Sequence, residues 1–117
     1  MNYDLEERTA KFGEDIIDFV KAMRSSNITK PLISQIIRSS TSVGANYMEA
    51  NQASSKRDFR NKIQICRKES NETKHWLRMI ARASADNEEK CRSLWKEAHA
   101  LTLIFAKISK SSIEDKN

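Results

Sequence analysis

An antiparallel up-down-up-down bundle of four α-helices is the fold this sequence predicts, and three observations carry the prediction. The 117 residues include two glycines and one proline, too few for a sandwich or barrel, which needs turn residues about every ten positions. Apolar side chains recur at alternating steps of three and four in four separate stretches, the spacing that lines up one side of a helix. The breaks between those stretches are short, so consecutive helices should lie side by side and antiparallel. At 38% hydrophobic and 32% charged, the chain has the balance of an ordered, soluble protein. Its length suits a single domain over residues 1–117.

The first helix is expected over about residues 4–24. Leu5, Thr9, Phe12, Ile16, Phe19 and Met23 form its seam, Ile17 and Val20 widen it, and Glu14, Asp15 and Asp18 make the outer face acidic. Glycine costs about 1 kcal/mol in a helix interior relative to alanine, so Gly13 should mark a tight packing contact. After the loop Ser25-Ser26-Asn27, a second helix is expected over residues 30–52, with Pro31 in the first turn where its missing N–H is no loss. Leu32, Ile33, Ile36 and Ile37 make its first half apolar. Its second half is small (Ser39, Ser40, Ser42, Gly44, Ala45), with Val43, Tyr47 and Met48 as anchors. Such residues are poor helix formers and make sense where helices approach closely.

The third helix is expected over residues 55–85, capped by Ser54 or Ser55 with Asp58 in the first turn. Asp86 and Asn87 supply the turn into a fourth helix over about residues 87–110. Its seam is Cys91, Leu94, Ala98, Leu101, Phe105 and Ile108, with Trp95 and Ile104 alongside. The tail from Ser111 to Asn117 is expected to fray.

The third helix presents three faces. Phe59, Ile63, Cys66, Ser70, Thr73, Leu77 and Ile80 form the core seam. Arg57, Arg60, Gln64, Arg67, Asn71, Lys74 and Arg78 form a basic edge without an acidic member. It spans about 30 Å at 1.5 Å per residue. Ile65, Glu69, Glu72, Trp76 and Met79 form the third face. Charge is concentrated here: residues 55–85 hold nine basic and three acidic side chains, a surplus of six in a chain of net charge +5. A surplus on one element points to an anionic partner surface. Arg57, Arg60, Arg67, Lys74 and Arg78 are therefore the candidate nucleic-acid-binding residues, following a phosphate backbone with Gln64 and Asn71 as neutral donors. With no aromatic interleaved along the edge, binding should be led by shape and sensitive to salt. The alternatives are a solvated face, or one paired with Glu14, Asp15 and Asp18 of the first helix.

The third face is the candidate subunit interface, since a Trp and a Met beside carboxylates suit a partly buried contact with arginine. Arg38 is the obvious partner of Glu69, Glu72 and Trp76, with Asn46 and Glu49 expected in the same polar cluster. Other chemistry is not expected. Glu72 and His75 make one half of a Glu-x-x-His pair, but His99 has Lys96 where the matching carboxylate would stand. No triad and no glycine-rich phosphate loop can be assembled. Cys66 and Cys91 lack metal-ligand spacing and read as buried small hydrophobes. No run is long enough to span a membrane, and the charged start argues against a secretory signal. A cytoplasmic protein with no catalysis, metal or cofactor is the expectation.

Two blocks carry a family resemblance: Gln35-Ile36-Ile37-Arg38-Ser39-Ser40-Thr41-Ser42-Val43-Gly44-Ala45-Asn46-Tyr47-Met48-Glu49-Ala50, and Ser55-Lys56-Arg57-Asp58-Phe59 with Lys68-Glu69-Ser70-Asn71-Glu72-Thr73-Lys74-His75-Trp76-Leu77. In their order and spacing the chain resembles the four-helix bundle proteins encoded by intervening sequences of bacterial 23S ribosomal RNA genes. It is similar, more distantly, to the accessory protein of diversity-generating retroelements. The resemblance implies a homopentameric ring. For the retroelement relatives it also implies binding of structured RNA or DNA and of a reverse transcriptase; for the intervening-sequence relatives it implies no established activity. The resulting expectation is a binding module for structured nucleic acid, the alternative a protein-binding adaptor whose basic face docks an acidic partner.

Overall fold

The computed structural model describes residues 2–114, with side chains from 5 to 113. The helices are α1 (Asn2–Lys21), α2 (Thr29–Asn51), α3 (Lys56–Ala83) and α4 (Glu88–Glu114), with a 3-10 turn over Ala85–Asn87 leading into the last. Thr9 lies against Gly44 while Gly13 lies against Thr41. Glu49 reaches Lys62 while Arg38 reaches Glu69, and Gln64 reaches Ser109 while Lys74 reaches His99. In each set one number rises as the other falls, so successive helices are antiparallel. α3 packs between α2 and α4; α1 leans on α2, approaches α4 at few points and lies diagonally across the core from α3. The result is a four-helix bundle of 50 × 22 × 19 Å.

The helix ends follow local chemistry. α1 stops at Lys21, short of the expected Arg24, because the chain tightens there into a Met23 N–H bond to Val20 O at 3.2 Å. Ser26 Oγ accepts from Thr29 N at 3.1 Å and Thr29 Oγ1 accepts from Ser26 N at 2.9 Å. That reciprocal pair acts as a capping box for α2. Ser55 caps α3, accepting from Asp58 N at 3.0 Å. α4 runs one turn past residue 110, where its Ser111, Ser112 and Ile108 lie beside Lys56 and Phe59 at the start of α3. The fraying expected of Asp115, Lys116 and Asn117 lies outside the described residues.

The expected seams are largely the core. Phe12, Ile16 and Phe19 of α1, Ile63, Cys66, Leu77 and Ile80 of α3, and Ala98, Leu101 and Phe105 of α4 are all buried. Two expectations fail on α1 and α2: Ile17 is 37% exposed and Met48 is 58% exposed. Both point into an open α1–α2 cleft and not to the seam. Between α1 and α2 the small residues do bring the helices close. An added Cβ at Gly44 would lie 3.5 Å from the Thr9 backbone, and one at Gly13 would lie 3.7 Å from Thr41. These are ordinary van der Waals distances, so the close approach at Gly13 still leaves room for a methyl group.

The middle of the core is polar. Ser39, Ser70 and Thr73 are fully buried. Ser39 Oγ and Thr73 Oγ1 are 2.8 Å apart across α2–α3, and Thr102 Oγ1 donates to Ser70 Oγ at 3.0 Å across α4–α3. Ser70 also donates to Arg67 O, so these buried hydroxyls are satisfied, as buried polar groups must be. The two cysteines are free and buried. Burial pushes the Cys66 thiol up to about 12 and the Cys91 thiol up to about 11.

Gly13→Ala is expected to stabilise the protein by about 0.5–1 kcal/mol, since it removes the helix penalty of glycine where the Cβ fits. The thermal midpoint by circular dichroism should rise by about 4 °C; a fall would show that Thr41 cannot accommodate the methyl. A thiol whose pKa is raised on folding contributes stability below its unfolded value of about 8.5 and loses it as pH rises further. Unfolding free energy in urea should therefore drop towards pH 11, and Cys66→Ala/Cys91→Ala should have a shallower drop than the parent.

Candidate nucleic-acid interface

The basic edge of α3 faces α4. Arg57, Arg67 and Arg78 are exposed, while Arg60 and Lys74 are half-buried. Among the described residues none of the five forms an ion pair; the pairs there are Arg8–Glu97, Lys11–Asp15, Arg38 with Glu69 and Glu72, Lys62–Glu49 and Arg92–Glu88. None of the five pairs with Glu14, Asp15 or Asp18 of α1, and α1 and α3 lie on a diagonal, their backbones nowhere in close approach. Gln64 is a brace more than a free donor: its Nε2 donates to Ser109 Oγ at 2.8 Å, and its Oε1 accepts from Arg67 Nη1 at 3.3 Å. Arg60 Nη1 is buried with no hydrogen-bond partner among the described residues.

The edge is not free of aromatics, contrary to the reading of α3 alone. Lys74 Nζ lies 3.0 Å from His99 Nδ1 and 5.1 Å from the centre of the Trp95 ring. His99 stacks on Trp95 with centroids 5.0 Å apart and planes 18° apart. Both rings come from α4, where i, i+4 spacing makes them neighbours. Trp95 is 38% exposed and does not join the core beside which the sequence reading placed it. The spacing of Trp95 and His99 was visible on α4, but their meeting with Lys74 depends on the register of two helices.

Three clefts are lined by side chains of α3 and α4 together, and each is lined by two cations. Lys56 and Lys107 line the first, beside Phe59 and Ile108. Arg67 and Lys68 line the second, beside Gln64, Asn71 and Thr102. Arg78 and Arg92 line the third, beside Leu77, Cys91 and Trp95. Glu88 is the one carboxylate lining any of the three, and Arg92 holds it at 3.1 Å. The cleft between α1 and α2 is the reverse, with Glu6, Glu7 and Glu14 around Ala10, Ile17 and Met48 and no cation in its lining. The clefts of α3 and α4 are thus basic and the α1–α2 cleft acidic, while a further cleft at the α3–α4 connection sets Asp86, Glu88 and Glu89 around Arg92; cations gathered on one side favour meeting a polyanion in one orientation.

The candidate interface residues divide into two places. Arg38 Nη1 donates to Glu69 Oε2 at 3.1 Å, its Nη2 meets Glu72, and Trp76 Nε1 donates to Glu72 Oε2 at 2.9 Å. This α2–α3 cluster is satisfied within one chain. Asn46 and Glu49 do not belong to it: Asn46 Nδ2 donates to Ser42 O at 2.9 Å, and Glu49 takes Lys62 Nζ at 2.6 Å, which raises the lysine above its ordinary value. They share a helix face with Arg38, but eight and eleven residues of rise carry them about 12 and 16 Å along the axis. His75 turns edge-on to Trp76, with centroids 5.0 Å apart, and Glu72 is taken by Arg38 and Trp76. Among the described residues, no group of three or more histidines, cysteines and carboxylates is placed to hold a metal ion. No helix there is long and apolar enough to cross a membrane.

With this geometry the chain can be set beside known proteins. It is similar to a crystal structure of a protein with unknown function from the S23 ribosomal protein family of Bacteroides thetaiotaomicron VPI-5482, with 30% identity and a TM-score of 0.80. The match covers 93% of this chain and 97% of that one. No curated protein matches. The 23S rRNA-intervening sequence protein family matches over residues 1–114, the span of all four helices, and the chain belongs to that family.

Proposed function

We propose that this protein is a non-catalytic, self-assembling module that binds structured RNA by its phosphate backbone along the α3–α4 groove. The observation that carries this reading is the charge of the groove. Each of the three clefts is lined by two cations, five of these six cations have no acidic partner among the described residues, and one carboxylate, Glu88, lines any of the three. Cations left without acidic partners keep their attraction for phosphate, and each phosphate neutralised releases counterions. Arg57, Arg67 and Arg78 are the exposed phosphate contacts; Lys74 and the half-buried Arg60 act closer to the groove floor. Such contacts position the nucleic acid and carry no base sequence, so the preference is for shape.

Self-association is the second part of the reading. The resemblance to ring-forming bundles supports a homopentamer, and the α2–α3 side supports an interface there, with Ile65 36% exposed beside the Glu69–Glu72–Trp76 cluster. A protein with an acidic surface, such as the reverse transcriptase implied for the retroelement relatives, is the other partner such a groove would take.

Arg57→Glu/Arg67→Glu/Arg78→Glu is expected to fold normally, because all three side chains are exposed. Its binding to a labelled structured RNA should be lost, while the parent shows a steep fall in affinity with salt. Losing three phosphate contacts should flatten the slope of log K against log salt by about 3; unaltered affinity would sink the groove assignment. If the parent binds no RNA even at low salt, the groove belongs to an acidic protein partner. For assembly, Trp76→Ala should lower the mass measured by light scattering, and an unchanged mass would leave Trp76 as a side chain packed on the core.

A further inference from the structure

The third cleft of the groove differs from the other two in holding an exposed tryptophan. Its floor is apolar, built from Leu77, Ala81 and Cys91, and its rim carries Arg78 and Arg92. Leu77 is 1% exposed and Cys91 2%, whereas Trp95 on the wall keeps 38% of its surface open even with His99 stacked on it. The middle cleft has no aromatic lining, and Phe59 at the far end is partly buried against the core. A flat π surface between guanidinium groups is the environment that a nucleobase and its phosphate both satisfy. We propose that this cleft takes one unpaired nucleobase of the bound RNA, with Trp95 as its stacking platform and Arg78 and Arg92 on the flanking phosphates. The proposal rests on the RNA reading of the groove and adds to it a preference for unpaired over paired segments.

The platform is held in place before any ligand arrives. His99 lies nearly parallel to the indole, and Lys74 Nζ sits 3.0 Å from His99 Nδ1 and 5.1 Å from the indole centre. The indole is therefore braced by one ring and one cation, and little ordering remains to be done on binding. Arg92 is engaged by Glu88 at 3.1 Å through an exposed i, i+4 pair. Such pairs contribute little, so Arg92 can exchange the carboxylate for a phosphate. The cleft, at about 370 Å³, falls near the lower end of the range for small-ligand sites, about 300–1,000 Å³. That volume is enough to take one base against the open indole face. Bases inside a duplex are stacked on one another and their faces are not offered to an aromatic side chain, whereas loop bases can be splayed out onto one.

The test uses the full chain carrying Trp76→Phe, so that Trp95 is the sole indole. An RNA hairpin with an unpaired loop and a blunt duplex of equal phosphate count are titrated at low salt. The hairpin should quench Trp95 fluorescence and the duplex should not. Trp95→Ala should lower hairpin affinity by about 5- to 150-fold while duplex affinity is unmoved, and Trp95→Phe should restore part of the loss. Binding of the hairpin without quenching, together with equal hairpin affinity for Trp95→Ala and parent, overturns the platform and leaves the basic groove standing. Failure of the parent to bind either RNA overturns the RNA reading and the platform together.

Discussion

Two hydroxyl pairs, Ser39 with Thr73 and Ser70 with Thr102, fix α3 against both of its neighbours. An apolar seam alone tolerates sliding, because one methyl group packs against another at several offsets. A buried hydroxyl does not, since a displaced helix would leave it without a partner at a cost of about 1–3 kcal/mol. The polar layer therefore acts as a register pin in the way a single buried polar residue does in coiled coils. The groove depends on it. Only in this register does Lys74 reach His99, Gln64 reach Ser109, and Arg78 stand across from Arg92 and Trp95.

The same layer explains which parts of the molecule could be read from the sequence. The seams of α1, α3 and α4 were legible because burial repeats with the helix period, and even Ser70 and Thr73 were found as seam positions by spacing alone. Close approach was legible in Gly13 and in the small residues of α2, which have little reason to be helical otherwise, but that these two places meet each other was not. Contacts between helices were harder. Arg38 with Glu69 and Glu72 follows from the sequence, whereas Asn46 and Glu49 share its angular position on α2 and are parted from it by the rise along the axis. Trp95 and Met48 are large and apolar, and hydrophobicity argues for the core; one forms a wall of the basic groove and the other a wall of the acidic cleft. Nothing in a single helix tells a side chain which neighbour it will face.

Charge separates with the topology. α1 carries its acids on the outer face, α3 carries the basic surplus on the edge towards α4, and the up-down-up-down order sets α1 and α3 on a diagonal. Had the two been neighbours, Glu14, Asp15 and Asp18 would have been available to neutralise the arginines. Antiparallel connectivity thus leaves the basic edge without intramolecular acids, and an anionic partner meets cations that have little competing attraction inside the chain.

α1 packs closely along one helix where α3 packs closely along two. It leans on α2, approaches α4 at few points and adds to them the exposed Arg8–Glu97 pair. Segments with less shared packing exchange their amide protons through smaller openings than the central elements do. α1 is expected to be the first helix to come away, with α2, α3 and α4 forming the slow-exchanging unit. Its departure would uncover Phe12, Ile16 and Phe19 and dissolve the acidic cleft while leaving the α3–α4 groove assembled. Graded in this way, the molecule can lose its negative side and keep its positive one.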